Sequence, residues 1–161
     1  MKYCPQCANM LKKATIDNKQ RLCCTDKACG YIYWNNPIPV VAIVVETELG
    51  VVLAHNKLAP QGFFSIITGF LEADETPENA AQRETKEELG LNHISTNFIG
   101  IFPFALTNQI LIAYHIIAKG NIVLNEELDE FKIVAKEDLF MWNTTSKFEV
   151  GEWLKRLNVF A

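Results

Sequence analysis

Residues 69–91, GFLEADETPENAAQRETKEELGL, constrain the fold more than any other stretch because they specify a helix and both of its ends. Thr76 suits the helix N-cap, where its hydroxyl accepts a hydrogen bond from a free backbone N–H, and Pro77 suits the first helical position. Gly90 permits the left-handed conformation that commonly ends a helix. The sequence therefore predicts a helix over residues 77–89.

The predicted helix concentrates carboxylates on one side. At roughly 100° per residue, Glu84, Glu87 and Glu88 share an arc of about 100°, with Arg83 beside it. Neighbouring like charges destabilise a helix by roughly a few tenths of a kcal/mol each, and one arginine cannot offset three carboxylates. A solvated helix face is one interpretation. The fixed residues at both ends favour a site for Mg²⁺ or Mn²⁺, which prefer oxygen ligands.

The spacing of these residues resembles the Nudix box. That motif reads Gly, five residues, Glu, seven residues, Arg-Glu, an aliphatic residue, one residue, Glu-Glu, one residue, Gly and an aliphatic residue. Thr85 stands in place of the first aliphatic residue, a departure that concerns packing rather than chemistry. The other eight specified positions match: Gly69, Glu75, Arg83, Glu84, Glu87, Glu88, Gly90 and Leu91.

Four cysteines near the N-terminus have the spacing of a zinc ribbon. Cys4 and Cys7 form one knuckle and Cys24 with Cys29 the other, although Cys23 could take the place of Cys24. A segment this small buries little apolar area, so bound Zn²⁺ would supply its folding free energy. Four thiolates leave no open position on the metal, and such a site is structural.

The ribbon, the WNNP junction after it and the box together resemble the zinc-ribbon branch of the Nudix hydrolases. That branch includes NAD(H) pyrophosphatases and plant FAD or ADP-ribose pyrophosphatases. We therefore expect two domains, a zinc ribbon over residues 1–35 and a Nudix domain over residues 36–161. The resemblance implies an α/β fold for the second domain, with a mixed sheet in an α/β/α sandwich.

The resemblance also implies a reaction and its cofactors. A Nudix hydrolase cleaves the diphosphate link of a nucleoside diphosphate joined to another moiety, and it requires Mg²⁺ or Mn²⁺. Carried over residue by residue, the catalytic set is Glu84, Glu87, Glu88, Arg83 and Glu127. The Mg²⁺ or Mn²⁺ ligands are Glu84, Glu87, Glu88, Glu127 and the carbonyl of Gly69.

A second acidic stretch, NEELDE, would supply a carboxylate that the box lacks. In the zinc-ribbon branch a glutamate here adds a metal ligand or acts as the general base. Glu127 aligns best and Glu130 second, and Glu87 is the other candidate for the base. We expect Arg83 to pair with Glu75 or Glu87 and to hold the carboxylates in register.

Apolar runs predict the remaining elements of the second domain. The continuous run VVAIVVE is typical of a buried strand, and His55, at the end of the next strand, is interpreted as a surface residue. A short helical turn over residues 136–139 and an amphipathic helix over residues 147–157 would close the chain. The predicted strands cover residues 40–46, 51–55, 63–68, 110–118, 121–124 and 131–135.

The segment after the box bears on the substrate. NAD(H) pyrophosphatases carry a Ser-Gln-Pro-Trp-Pro-Phe-Pro-x-Ser signature here, of which this chain keeps an aromatic-Pro-Phe core, Phe102-Pro103-Phe104. Phe102 and Phe104 would hold a nucleobase, with core packing as the alternative. Gln109 would offer an amide contact. NAD(H) is the first substrate expected, followed by ADP-ribose and FAD.

Composition limits the partners. The 161 residues are 49% hydrophobic but contain no run of 18 apolar residues, so no membrane span is expected, and the first ten residues hold no hydrophobic signal segment. The cytoplasm is the expected compartment. Residues 1–36 carry a formal charge of +4 and the remainder −8. An acidic body disfavours broad nucleic-acid binding and favours a small nucleotide.

Two other functions stay open at this point. A capped RNA 5′ end needs little protein surface, so processing of an NAD cap is compatible with the acidic body. Some Nudix domains sense a nucleotide without hydrolysing it, although all box glutamates are present here. The resemblance also suggests a homodimer.

Overall fold

The structure is a computed structural model and describes residues 1–139. The chain divides into two compact units, Met1–Pro37 and a second unit that begins at Ile38. The amphipathic helix predicted over residues 147–157, the second helical layer of the expected sandwich, lies outside the described residues. No helix within residues 1–139 is long and apolar enough to cross a membrane.

The first unit is a three-stranded antiparallel sheet with very little core. Its hairpin turns at Asp17 and Asn18, both with positive φ, as two-residue hairpin turns require. Within residues 1–37, only Cys4 and Leu11 are buried. Burial of two side chains cannot offset the entropy of ordering the unit, so this unit needs a cross-link. Its strands are β1 (Leu11–Ile16), β2 (Lys19–Cys24) and β3 (Ile32–Tyr33).

The second unit is built on a six-stranded mixed sheet in the order β7-β8-β4-β5-β9, with β6 pairing with β4. The β4–β8 pair is parallel and the other pairs are antiparallel. The mixed α/β fold expected for this part of the chain is confirmed. The strands are β4 (Ile38–Thr47), β5 (Gly50–Asn56), β6 (Ile67–Phe70), β7 (Asn92–Phe104), β8 (Gln109–Lys119) and β9 (Leu128–Val134).

Two strand predictions need correction. Residues 121–124 form no strand; the Val123 N–H donates instead to the Leu89 carbonyl at the end of the helix. The strand predicted over residues 63–68 starts later, at Ile67, and Ser65 makes only an isolated bridge to Ala54. In both places an apolar run packs on the core without joining the sheet, which periodicity alone does not distinguish. The short helix α2 (Lys136–Leu139) is present as predicted.

Helix α1 (Pro77–Leu89) has the predicted bounds. The Thr76 hydroxyl accepts from the Asn79 N–H at 3.2 Å, and Gly90 has φ 70°. The helix buries Ala80, Ala81 and Leu89 on one face of the sheet, against a core that includes Val41, Ile43 and Ile116. A second core covers the opposite face, around Val44, Leu53 and Phe64.

Strand β4 changes partner along its length, and this change positions the acidic helix. Its first half pairs with β6, where Val41 faces Gly69, and its second half pairs with β5, from Val45 to Thr47. Gly69 therefore lies near the end of a short strand, immediately before the loop that leads into α1. The loop and helix bring the box residues to this edge of the sheet.

Candidate active site

Arg83 connects the acidic residues of the box. Its Nε and Nη2 donate to the two carboxylate oxygens of Glu75, at 3.1 and 2.7 Å. Its Nη1 donates to Glu84 at 2.8 Å and to Glu87 at 3.0 Å, and Nη2 also donates to the Phe70 carbonyl at 3.1 Å. Both expected partners are contacted, and Glu84 is a third. The hydrogen bonds from Arg83 lower the pKa of Glu75.

Gly69 leaves room for the Glu84 carboxylate. A Cβ at position 69 would lie 2.1 Å from both Cδ and Oε1 of Glu84, far inside van der Waals contact. Thr85, the departure from the motif, is fully buried, and its hydroxyl donates to the Ala81 carbonyl at 2.8 Å. This bond within the helix satisfies the hydroxyl, so threonine fits a position where the family prefers an aliphatic side chain.

Glu88 is the most buried carboxylate of the site, with 8% of its surface exposed. Among residues 1–139, no side chain forms a hydrogen bond or ion pair with it. Burial first, and then repulsion from Glu84, Glu127 and Glu87, raises the pKa of Glu88 to about 8. Burial also raises the pKa of Glu84, against the lowering effect of Arg83. Such carboxylates keep their charge only with a cation among them, so the donor set fits a divalent metal.

The loop before β9 brings Glu127 to the same cluster. Glu127 and Glu88 line one cavity, and the charge of Glu127 contributes to the raised pKa values of Glu84 and Glu88. Asn125 links this loop to the helix, since its N–H donates to the Glu88 carbonyl at 3.3 Å and its Oδ1 accepts from the Glu127 N–H at 3.0 Å. Glu130, the second choice from sequence, lies within β9 and is not among the described residues that line the cavity.

The cavity has a volume of about 640 Å³, within the roughly 300–1,000 Å³ that is usual for small-molecule sites. Its acidic wall comes from α1 and the neighbouring loops and contains Glu72, Arg83, Glu84, Glu87, Glu88 and Glu127. Its apolar residues come from the sheet and from the irregular segment before β6, and they include Val40, Leu53, Phe63, Phe70, Phe104 and Leu111. A polyanion bridged by metal and an attached flat ring could therefore occupy it together.

The three candidate substrate contacts are placed differently. Phe104 and Gln109 line the cavity. Phe102 and Phe104 both pack on the second core, and the Phe102 ring lies against Gly100, where a Cβ would lie 2.9 Å from the Phe102 Cζ. Phe102 is not among the described residues that line the cavity. Core packing, the alternative considered for the pair, therefore describes Phe102 better than ligand binding.

The sequence reasoning missed three aromatic residues of the cavity, Phe63, Phe64 and Phe70. Phe70 is 59% exposed, and its carbonyl is held by Arg83. A signal was available, because Phe70 directly follows the first glycine of the box and so had to lie at the mouth of the site. Phe63 had no such signal, since it lies in an irregular segment that brings it to the cavity only in the folded chain.

The interpretation of His55 as a surface residue is wrong. Its side chain is buried, with Nδ1 2.6 Å from Asp129 Oδ1 and Nε2 3.2 Å from the Pro60 carbonyl oxygen. The hydrogen bond to Asp129 is the main cause of a raised His55 pKa. Sequence reasoning failed here because Asp129 and Pro60 become neighbours of His55 only through the β5–β9 pairing and the loop after β5.

In the first unit, the four predicted zinc ligands come together. The Sγ atoms of Cys4, Cys7, Cys24 and Cys29 all lie within 4.8 Å of one another. Two of the separations are 3.7 Å, for Cys4 and Cys29, and 3.4 Å, for Cys7 and Cys24. A tetrahedral ion with zinc–sulfur bonds of about 2.3 Å holds its sulfurs about 3.8 Å apart, so the cluster fits zinc.

The two adjacent cysteines on β2 are separated by the pleat of the strand. Cys24 lies in the cluster, whereas Cys23 pairs with Lys12 and Ile32 in the sheet and is not part of it. A hydrogen bond from the Asn9 backbone is the main cause that lowers the pKa of Cys7 to about 7, while burial raises that of Cys24 to about 12. A thiol with a raised pKa stays protonated near neutral pH, so all four sulfurs can become thiolates together only when a cation binds among them.

Comparison with known proteins places this geometry in a family. The model of the NUDIX domain matches residues 36–157. The chain is 28% identical over 114 residues to the NAD-capped RNA hydrolase NudC of Vibrio atlanticus, covering 71% of this chain and 41% of that protein. It is 26% identical over 118 residues to the NAD-capped RNA hydrolase NUDT12 of Homo sapiens, covering 69% of this chain and 25% of that protein. The chain thus spans less than half the length of these curated relatives.

Solved structures are similar over a larger share of the chain. A NUDIX hydrolase from Nitrosomonas europaea has a TM-score of 0.80 at 25% identity, covering 97% of this chain and 89% of that one. A MutT protein from Methanosarcina mazei Go1 has a TM-score of 0.63 at 20% identity, covering 78% of this chain and 96% of that one, which shows the fold alone. Since the family model spans most of the chain, this chain belongs to the NUDIX domain family.

Proposed function

We propose that this protein hydrolyses the diphosphate link of a dinucleotide, with NAD(H) as the first candidate substrate and ADP-ribose or FAD as alternatives. The observation that carries the proposal is the unpartnered Glu88 carboxylate, buried beside Glu84, Glu87 and Glu127 in a cavity whose other wall is apolar and aromatic. Mg²⁺ or Mn²⁺ is the proposed cofactor, held by these four glutamates and the Gly69 carbonyl.

The bound ions would neutralise the phosphates and lower the pKa of the attacking water. The residues of the chain supply the rest. Arg83, with four side-chain bonds to three glutamates, keeps the carboxylates in register. Glu127 is the better candidate for accepting the proton, because Glu87 is held by Arg83 and is 57% exposed in its side chain.

The aromatic wall is proposed to bind the base or the nicotinamide ring. Phe70 and Phe104 line the cavity, and stacking on aromatic side chains favours a flat ring over an aliphatic group. Gln109 lies on the same wall and offers an amide. A base and a nicotinamide ring are both flat, so the wall suits either half of a dinucleotide.

A second candidate substrate is an RNA that carries NAD at its 5′ end. It is favoured by the two curated relatives that are named NAD-capped RNA hydrolases. The reacting bond and the cavity would be the same as for free NAD. The RNA chain attached to the NAD would extend out of the cavity into solvent. A nucleotide-sensing module without hydrolysis remains the alternative from another class.

A hydrolysis panel tests the proposal. The purified protein is incubated with Mg²⁺ or Mn²⁺ and NADH, NAD⁺, ADP-ribose, FAD, oxidised nucleoside triphosphates or NAD-capped RNA, and products are identified by mass. Release of nicotinamide mononucleotide from free NAD(H) supports the first candidate, and its release from capped RNA alone supports the second. Binding of NAD(H) without turnover of any substrate would favour the sensing module.

We also propose that Cys4, Cys7, Cys24 and Cys29 bind one structural Zn²⁺, which would place the chain in the zinc-ribbon branch of the family. The domains over residues 1–35 and 36–161, a homodimer and the cytoplasm as compartment remain predictions from sequence. Size-exclusion chromatography with light scattering tests the dimer.

A further inference from the structure

Strand β9 carries one extra residue where it passes the end of β5. His55 faces Glu130 and Asn56 faces Leu128, so Asp129 has no partner in the ladder. A bulge of this kind reverses the alternation of side chains along the strand, and bulges beside functional sites re-aim side chains. Glu127, two residues before the bulge, lines the cavity.

His55 joins the bulge to its neighbours. The Pro60 carbonyl can only accept, so Nε2 carries a proton and donates to it across 3.2 Å. Nδ1 lies 2.6 Å from a carboxylate oxygen of Asp129, a distance typical of a charge-assisted hydrogen bond. The imidazole is 8% exposed and packs near the Phe64 ring. One buried side chain thus connects β5, the loop after it and the bulge.

Both backbone polar groups of Glu127, its carbonyl and its N–H, form hydrogen bonds. Its carbonyl accepts from the Lys57 N–H at 3.0 Å, two residues after His55. Its N–H donates to Asn125 Oδ1 at 3.0 Å, and the Asn125 N–H donates to the carbonyl of Glu88 at 3.3 Å. The position of the Glu127 carboxylate therefore depends on how firmly β9 is fixed to β5.

We propose that His55 and Asp129 are a positioning pair, which sets Glu127 against the carboxylate cluster by locking the bulge in β9. The proposal rests on the proposed function for the role of Glu127 and assigns no contact with substrate to the pair. Neither His55 nor Asp129 is among the described residues that line the cavity. Loss of either residue should loosen the Glu127 loop without removing a ligand or a base.

The same sheet offers a matched control. His115 is also buried, 9% exposed, and its Nε2 lies 2.8 Å from Glu46 Oε2. Glu46 lies five residues along β4 from Val41, the residue that faces Gly69, which is about 17 Å in a strand. His115→Gln therefore removes a buried histidine–carboxylate contact without touching the Glu127 loop.

The experiment compares Asp129→Asn, His55→Gln and His115→Gln in the full chain. Asp129 is the primary variant, because its side chain is 48% exposed and its replacement should therefore leave the fold intact. Three readouts are taken: kcat and KM for the best dinucleotide, Mn²⁺ affinity by calorimetry, and hydrogen exchange of the Lys57 N–H. Asp129→Glu, which keeps the carboxylate, serves as the rescue variant.

Asp129→Asn and His55→Gln should each lower kcat or Mn²⁺ affinity about tenfold, the usual cost of losing a supporting partner, and speed exchange at Lys57. KM should stay within about twofold. The double variant should lose no more than either single one, because the two residues act as a unit. Asp129→Glu should recover most of the loss, and His115→Gln should match the native protein in all three readouts.

The positioning role would be overturned if Asp129→Asn had the same kcat, Mn²⁺ affinity and Lys57 exchange rate as the native protein. Equal losses in His55→Gln and His115→Gln that follow their melting temperatures would also overturn it, because they would show general destabilisation. If the native protein hydrolyses no dinucleotide, the proposed function fails, whatever the variants show. The positioning role is then decided by two readouts, hydrogen exchange at the Lys57 N–H and Mn²⁺ affinity.

Discussion

The two units each gather four residues that favour a metal, but they do so under opposite physical conditions. In the first unit, four thiols lie within 4.8 Å of one another in a segment with two buried side chains. In the second, five glutamates border one cavity beside two extended cores, and four of them are the proposed metal ligands. The first unit lacks a core that could order its ligands, whereas the second has enough core to hold Glu88 in a position that costs free energy.

Because the two units differ in this way, removal of metal should have different consequences in each. Loss of metal from the thiol cluster should unfold its unit, because the proposed metal would supply the folding free energy of that unit. Loss of metal from the carboxylate cluster should leave the fold in place and remove activity, because the cores do not depend on it. The following predictions test this difference, starting with the largest expected effect.

Cys24→Ser should abolish zinc binding and unfold residues 1–37. Structural zinc sites contribute about 10–16 kcal/mol of apparent binding free energy, far more than two buried side chains supply. The measurement is zinc content by atomic absorption together with amide chemical-shift dispersion. Cys23→Ser is the matched control, since Cys23 lies outside the cluster, and it should retain about one zinc. Zinc retained in Cys24→Ser, or lost in Cys23→Ser, would contradict the assignment.

Glu88→Gln should lower kcat on the order of 10³-fold, because it removes several kcal/mol of metal-mediated transition-state stabilisation. Its melting temperature in the absence of added metal should be unchanged or higher, since a buried, unpartnered carboxylate is replaced by a neutral group of the same shape. Steady-state kinetics and calorimetry measure both. Glu126→Gln, which changes an exposed neighbour of Glu127, should leave both values as they are. Near-native turnover by Glu88→Gln would contradict the assignment of Glu88 as a metal ligand.

Gly69→Ala should lower kcat about 100-fold with only a modest loss of stability, because displacement of a catalytic group by about 1 Å has that effect. The added Cβ would overlap the Glu84 carboxylate. Gly100→Ala is the control: its Cβ would press on the Phe102 ring instead, so it should cost stability and leave kcat alone. The opposite pattern, with kcat lost only in Gly100→Ala, would mean that the site depends on Phe102 rather than Glu84.

His55 should make stability depend on pH with a defined sign. Its folded-state pKa is raised by Asp129 and, more weakly, by Glu130, so its stabilising effect is complete below about pH 6.5, the unfolded value. The effect should fade as the pH rises through the raised folded-state pKa. The melting-temperature difference between the native protein and His55→Gln, followed from about pH 5 to 9, should therefore shrink. A difference that grows over this range would reverse the assignment of charge to His55.

Much of the second unit was predictable because its signals are local. The bounds of α1 followed from Thr76, Pro77 and Gly90, each of which acts within one helical turn. The buried strand β4 followed from its continuous apolar run. The strand predicted over residues 121–124 failed because its apolar residues pack against the end of α1 rather than on a neighbouring strand.

The part of the candidate site that consists of motif residues was predictable from the sequence. Spacing along one helix was enough to bring Glu84, Glu87 and Glu88 together, and a short turn was enough for Arg83 to reach Glu75. The choice between Phe102 and Phe104 was not available from sequence, because both face the same side of β7 and only the packing against Gly100 separates them.

The sequence by itself determined which residues are candidates for holding metal in this protein, since ligand type and local spacing are properties of short segments. Only the tertiary structure decided which residues border the cavity and how deeply Glu88 is buried. It also decided that the bulge at Asp129 places this carboxylate beside His55. The reason is that burial and strand register arise from contacts between segments far apart in the chain, and a shift of one residue in β9 reverses which side chains reach the site.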